Sequence, residues 1–133
     1  MTITAASTIV GYALGVFAGG WVVGALLTWL LHADDIAEIQ AFQARGLRNG
    51  GKLIGWIERF LVITFVLAGA YAAIGLVLAA KGIIRYGEIK EAADQKIAEY
   101  VLIGTMLSLS WALLAGEGLK LAIRYLEKNP LPF

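Results

Sequence analysis

Gly51 to Tyr86 reads GKLIGWIERFLVITFVLAGAYAAIGLVLAAKGIIRY. The neighbouring Glu58 and Arg59 stand near its start, Lys81 and Arg85 close its end, and no charged side chain falls between Arg59 and Lys81. About 20 apolar residues suffice for a helix to cross a bilayer, so a spanning helix is expected over 53–80. At the helical step of about 100° per residue, Gly51, Gly55, Val62, Phe65, Gly69, Ala72 and Leu76 share the side of Glu58. Trp56, Phe60, Leu67, Ile74 and Leu78 fall opposite. Glu58 is thus expected on a small-residue, protein-packed face, and the bulky face toward lipid. A charge at the centre of a membrane helix costs about 2.5–3.5 kcal/mol on insertion scales and faces protein or water. Glu58 therefore needs a partner, expected among Lys52, Arg45, Arg48 and the C-terminal segment, because Arg59 points about 100° away.

Working outward, Thr4 to Leu31 carries no charged side chain and forms a first span over 4–31. It lacks the basic start of a secretory signal, and its apolar run exceeds the usual core of about 7–15 residues. Its glycines are patterned. Gly11, Gly15 and Gly19 are four apart, as are Gly20 and Gly24. Small residues permit close helix approach in lipid, where no hydrophobic force drives helices together. Two small-residue faces imply neighbours on both sides, and hence a homo-oligomer.

The polar connection 34–48 reads as a short interfacial amphipathic helix, capped by Asp34 or Asp35 and ended by Asn49-Gly50-Gly51. Lys81 to Glu99 reads as a solvated charged connection. A third span covers 99–116, with Gly104 on a face shared with Tyr100 and Trp111. Thr105, Ser108 and Ser110 can bond their own backbone or a neighbouring helix. A second amphipathic segment, 118–128, carries Lys120, Arg124, Glu127 and Lys128 on one face and is stopped by Asn129-Pro130.

Composition narrows the function classes. The chain has 133 residues, 59% of them hydrophobic and 16% charged, with mean hydropathy +0.75. Soluble domains run near 45–50% apolar and about 25% charged, so the balance points to a membrane. A net charge of +1 gives no electrostatic case for nucleic acid. No cysteine is present, which excludes disulfides, zinc–thiolate sites and thiol catalysis. No phosphate loop or dinucleotide fingerprint occurs, and Ser7, Ser108 and Ser110 have no histidine base. His32 stands near Asp34, Asp35 and Glu38, a set that reads more simply as an interfacial histidine beside a helix cap than as a metal site. No metal, cofactor or catalytic residue is expected.

Three stretches carry a resemblance: GKLIGWIER, GLVLAAKGIIRYGEIK and AEYVLIGTMLSLSWALLAG. They resemble the C-terminal part of a family of bacterial polytopic membrane proteins catalogued as a domain of unknown function. The matching positions are Gly51, Gly55, Glu58 and Arg59; Ala79, Ala80, Lys81, Arg85, Tyr86 and Glu88; and Glu99, Tyr100, Ile103, Gly104 and Thr105. The resemblance covers Gly51 to Ala115 and implies a bacterial inner membrane, with no activity attached. The larger family members carry a longer multi-span N-terminal part, where this chain has Thr4 to Leu31.

The expected architecture is thus all-α: a polytopic membrane protein with three transmembrane helices and short interfacial amphipathic helices. Helix packing is assigned to Gly11, Gly15, Gly19, Gly20, Gly24, Gly55, Gly69 and Gly104. The candidate polar cluster is Glu58, Arg59, Lys81, Arg85, Glu88 and Glu99. With three spans it divides between two sides, Glu58 and Arg59 joining Lys120 and Arg124, while Lys81, Arg85 and Glu88 join Glu99. Seven lysines and arginines then fall on the side of the first loop and C-terminus against four on the other. The positive-inside rule puts the N-terminus outside and the C-terminus in the cytoplasm. The leading function is a non-catalytic homo-oligomeric scaffold or interaction component, with the bilayer, a second copy and other membrane proteins as partners. The alternatives are a small ion channel or transporter subunit, whose charged ends line a path, and an accessory subunit of a larger complex.

Overall fold

The computed structural model describes residues 2–31, 37, 50–92 and 95–129, with side chains except at 84, 85, 87–92 and 95–97. Among them every regular element is a helix. We label Thr2–Leu30 α1, Gly50–Ala68 α2, Tyr71–Ala92 α3 and Gln95–Lys128 α4. The expected amphipathic helix 34–48 lies outside the described residues apart from Ala37.

The expected straight helix over 53–80 is instead two helices. Gly69 takes a φ of 72°, a left-handed conformation that residues with a Cβ avoid. The Gly69 N–H donates to the Phe65-to-Ala68 turn at the Val66 carbonyl (3.1 Å), and the Ala70 N–H reaches back to the Phe65 carbonyl (2.8 Å). These two bonds form a Schellman closure, which satisfies carbonyls left over at a helix end. Gly69 thus stops α2 and has no atom within 4 Å of where a Cβ would stand. It is a turn residue, not a packing residue. The break also resets the helical phase. Ile74, expected outward, is buried, and Leu76, expected inward, is 73% exposed.

The helices pack antiparallel in chain order. Gly11 lies against Leu119 and Gly104 against Leu27, so α1 runs opposite to α4. Arg59 meets Ser108 and, seven residues on, Val66 meets Gly116, which places α2 alongside α4 in the same direction. The N-terminal end of α1, the Gly69 turn and the C-terminal end of α4 therefore occupy one end of the bundle. The three-span reading had put the two termini on opposite sides; the contacts put the outer ends of α1 and α4 together. α4 also continues unbroken from the third expected span through 118–128, over 34 residues.

Two clusters fill the interior. One joins Val62, Val66, Ile74 and Ala112, and the other Val16, Ile63 and Leu119. In α4 the buried stripe is Ser108, Ala112, Gly116 and Leu119, steps of four, four and three that keep one face on α2. The opposite faces are apolar and exposed, with Trp21 at 78%, Trp29 at 81% and Leu114 at 73%. Thr2–Leu30 and Ala98–Lys128 are long and apolar enough to cross a membrane, and Tyr71–Ile83 is a shorter apolar helix.

Candidate functional site

Folding at Gly69 and Ala70 brings the two charged ends of the opening stretch together. Glu58 stands eleven residues before Gly69 and Lys81 eleven after Ala70, so the two face each other across the hairpin. Lys81 Nζ donates to Glu58 Oε2 at 2.7 Å, with each side chain 16% exposed. In a straight helix the same residues would stand about 34 Å apart at 1.5 Å per residue. Lys81 was not among the expected partners of Glu58, because only the turn makes the contact.

Arg59, expected off the packed face, is the buried residue of the pair at 5% exposure. Its environment begins in α1, where Leu14–Ala18 forms a π-helical turn. The wider turn shifts carbonyls out of line with the amides that would ordinarily take them. Two side chains use these acceptors. Arg59 Nε donates to the Val16 carbonyl at 2.8 Å, and Trp111 Nε1 donates to the Gly15 carbonyl at 2.9 Å. Arg59 also donates through Nη1 to Ser108 Oγ at 3.1 Å. One guanidinium thereby ties α2 to α1 and α4.

Glycines make room for these groups. A Cβ on Gly19 would stand 2.5 Å from Trp111 Cδ1 and 2.8 Å from Arg59 Cδ. On Gly20 it would meet Arg59 Nη2 at 3.1 Å, and on Gly55 it would meet Arg59 Nη1 at 3.3 Å. Gly11 similarly receives Leu119, and Gly15 receives Ile63. The glycines of α1 thus accommodate side chains of this same chain. Gly24 is different: nothing lies within 4 Å of its would-be Cβ. The two small-residue faces that suggested neighbours on both sides are largely occupied from within, and only the Gly24 position stays open.

The structure brings Glu58, Arg59 and Lys81 into one cluster. They line a cleft with Val62, Val77, Thr105 and Ser108, and its cavity volume is about 20 Å³. Lys120 stands elsewhere, at the Gly69 end. There it donates to the Tyr71 hydroxyl at 3.1 Å, which donates to Glu117 Oε1 at 2.6 Å. The expected grouping of Glu58 and Arg59 with Lys120 is therefore replaced by grouping with Lys81. Glu99 is exposed. The Arg85 and Glu88 side chains, and His32, Asp34, Asp35 and Glu38, lie outside the described residues. The sequence reading missed Trp111 and Glu117 as polar partners. Their types gave some signal, since a buried indole N–H usually finds an acceptor. A further link joins α1 and α2 at Tyr12 and Thr64, 2.7 Å apart. Thr64 spends its own hydrogen on the Phe60 carbonyl, so Tyr12 is the donor.

Between Glu99 and Glu117, α4 carries no charged residue, and Ser108 stands halfway. The cluster therefore sits at the middle of the apolar stretch. Compared with family models, with curated proteins and with solved structures, the chain has no match.

Proposed function

We propose that this chain is a non-catalytic integral membrane protein that passes the bilayer four times and serves as a membrane interaction component. One observation supports this reading above the others: a charged cluster ties the four helices together, while the outer faces are apolar and exposed. Glu99 to Glu117 spans about 27 Å along α4, near the roughly 30 Å of a hydrocarbon core. On this reading the cluster lies near mid-depth, where its ion pair and hydrogen bonds offset the cost of holding charge there. α2 is short and carries three charges, yet two of them point into protein.

A conducting path through the single chain finds less support. Toward the Gly69 end, the interior beyond the cluster is closed by Ile63 and Val66, both at 0% exposure, and by Ala112, also at 0%. Self-association rests on the open Gly24 position beside the exposed Trp21, and the particle mass in detergent tests it. The membrane reading itself is tested by alkaline carbonate washing of membranes containing the protein. Retention in the pellet is the expected result, and release into the supernatant overturns it. Proteoliposomes should show no ion flux above empty vesicles; a flux that follows a gradient would replace the interaction reading with a transport one.

A further inference from the structure

We propose that the Glu58–Arg59–Lys81 cleft binds one small monovalent anion, of the halide class. The inference rests on charge, donors and size together. The ionisable groups that line the cleft are one carboxylate and two cations, so its formal charge is +1. The Glu58 carboxylate is engaged by Lys81, and Arg59 bonds only neutral acceptors, the Val16 carbonyl and the Ser108 hydroxyl. Among the described residues no acid answers the Arg59 charge at hydrogen-bond distance. Glu58, next to Arg59 in the chain, acts on both cations at once while bonded to Lys81, so one carboxylate balances only half of the cluster's positive charge, and an unbalanced enclosed charge is costly.

Donors are available to a ligand. Arg59 is 5% exposed and spends Nε on the Val16 carbonyl and one Nη1 hydrogen on Ser108 Oγ, which leaves the second Nη1 hydrogen, beside Ser108, unused among the described residues. Ser108, 9% exposed, accepts from Arg59 and donates to nothing among them, so its hydroxyl hydrogen is free. Lys81 has three N–H donors and uses one on Glu58. Thr105 is not available in the same way, since its hydroxyl is spent on the Val101 carbonyl. Size then selects within anions. The half-open cleft has room for about one water-sized body, which suits a small halide and is too small for gluconate or a carboxylated metabolite.

This inference concerns the cluster alone and does not require the membrane reading, so the two fail separately. The test is thermal unfolding of the full chain, purified in detergent, in sodium chloride against sodium gluconate at equal ionic strength. Chloride should raise the midpoint saturably, by about 5 °C or more at concentrations far above Kd. Equal midpoints in the two salts would overturn the proposal. Two variants separate binding from simple structural loss. Lys81→Gln should abolish the chloride-dependent shift, whereas Glu58→Gln, which removes the competing negative charge, should reach the shift at a lower chloride concentration. Both variants break the same ion pair, so a merely structural role would move them alike. A chloride shift that survives in Lys81→Gln, or is lost equally in both, also overturns the proposal.

Discussion

Arg59→Ala removes two hydrogen bonds and leaves the Val16 carbonyl and the Ser108 hydroxyl without their donor. A buried group left unpaired costs about 1–3 kcal/mol, and Arg59 leaves a void as well. Arg59→Ala should therefore lower stability by about 3 kcal/mol or more, read as the unfolding midpoint in detergent. Arg59→Lys should recover little of that loss, because an ammonium cannot reproduce the forked donors that reach two helices at once. The glycines supply a paired prediction. Gly19→Ala drives a methyl into Trp111 and Arg59 and should cost about 1–3 kcal/mol. Gly24→Ala meets open space and should be neutral or stabilising by up to about 1 kcal/mol, the ordinary helix preference of alanine over glycine. A monomer in which both substitutions behave alike would contradict the packing described for α1. At this scale the sequence was partly legible. The spacing of Gly11, Gly15 and Gly19 marks a close-approach face, but spacing alone cannot say whether the approaching group belongs to another copy or to Leu119, Ile63 and Trp111 of the same chain.

The hairpin of α2 and α3 depends on one backbone conformation and one ion pair. Gly69→Ala forces a Cβ into a left-handed residue and should cost about 1 kcal/mol or more, whereas Gly69→Asn, which tolerates that region, should cost less. The ion pair allows a charge exchange. Glu58→Lys and Lys81→Glu each place like charges together and should destabilise strongly, and the double variant should recover a coupling energy of about 0.5–3 kcal/mol. If the double variant were as unstable as the sum of the singles, the two residues would not be partners. The turn was hard to read because it has no polar residue or proline near it. Val66 to Ala73 is wholly apolar apart from the Tyr71 hydroxyl, and a glycine inside such a run is equally at home in a continuous membrane helix. The excess length of 53–80 and the even placement of Glu58 and Lys81 about Gly69–Ala70 are the signals that favour a hairpin, and they acquire meaning only together. The helical class itself, by contrast, follows directly from composition and long apolar runs.

For the whole molecule, the proposed four passes change the expected charge balance between the two ends. Counted along the sequence, Arg45, Arg48, Lys52, Arg85, Lys90 and Lys96 fall in or beside the two polar connections, while Lys120, Arg124 and Lys128 follow the last apolar run. Arg59 and Lys81 lie between and do not count. On the proposed four-pass reading, six against three would put the connections in the cytoplasm and both outer helix ends outside, the reverse of the three-span expectation for the C-terminus. A C-terminal alkaline phosphatase fusion should accordingly be active and a green fluorescent fusion dark; the opposite pattern would exclude this orientation. The fold-back of the apolar stretch around Gly69 underlies everything else in the structure. The most direct test is the distance between spin labels on Leu53→Cys and Tyr86→Cys, two exposed positions in a chain with no native cysteine. Measured in a lipid bilayer, the separation should be about 10–20 Å, that of neighbouring antiparallel helices with their labels. A separation near 50 Å, the length of a continuous helix over those residues, would contradict it.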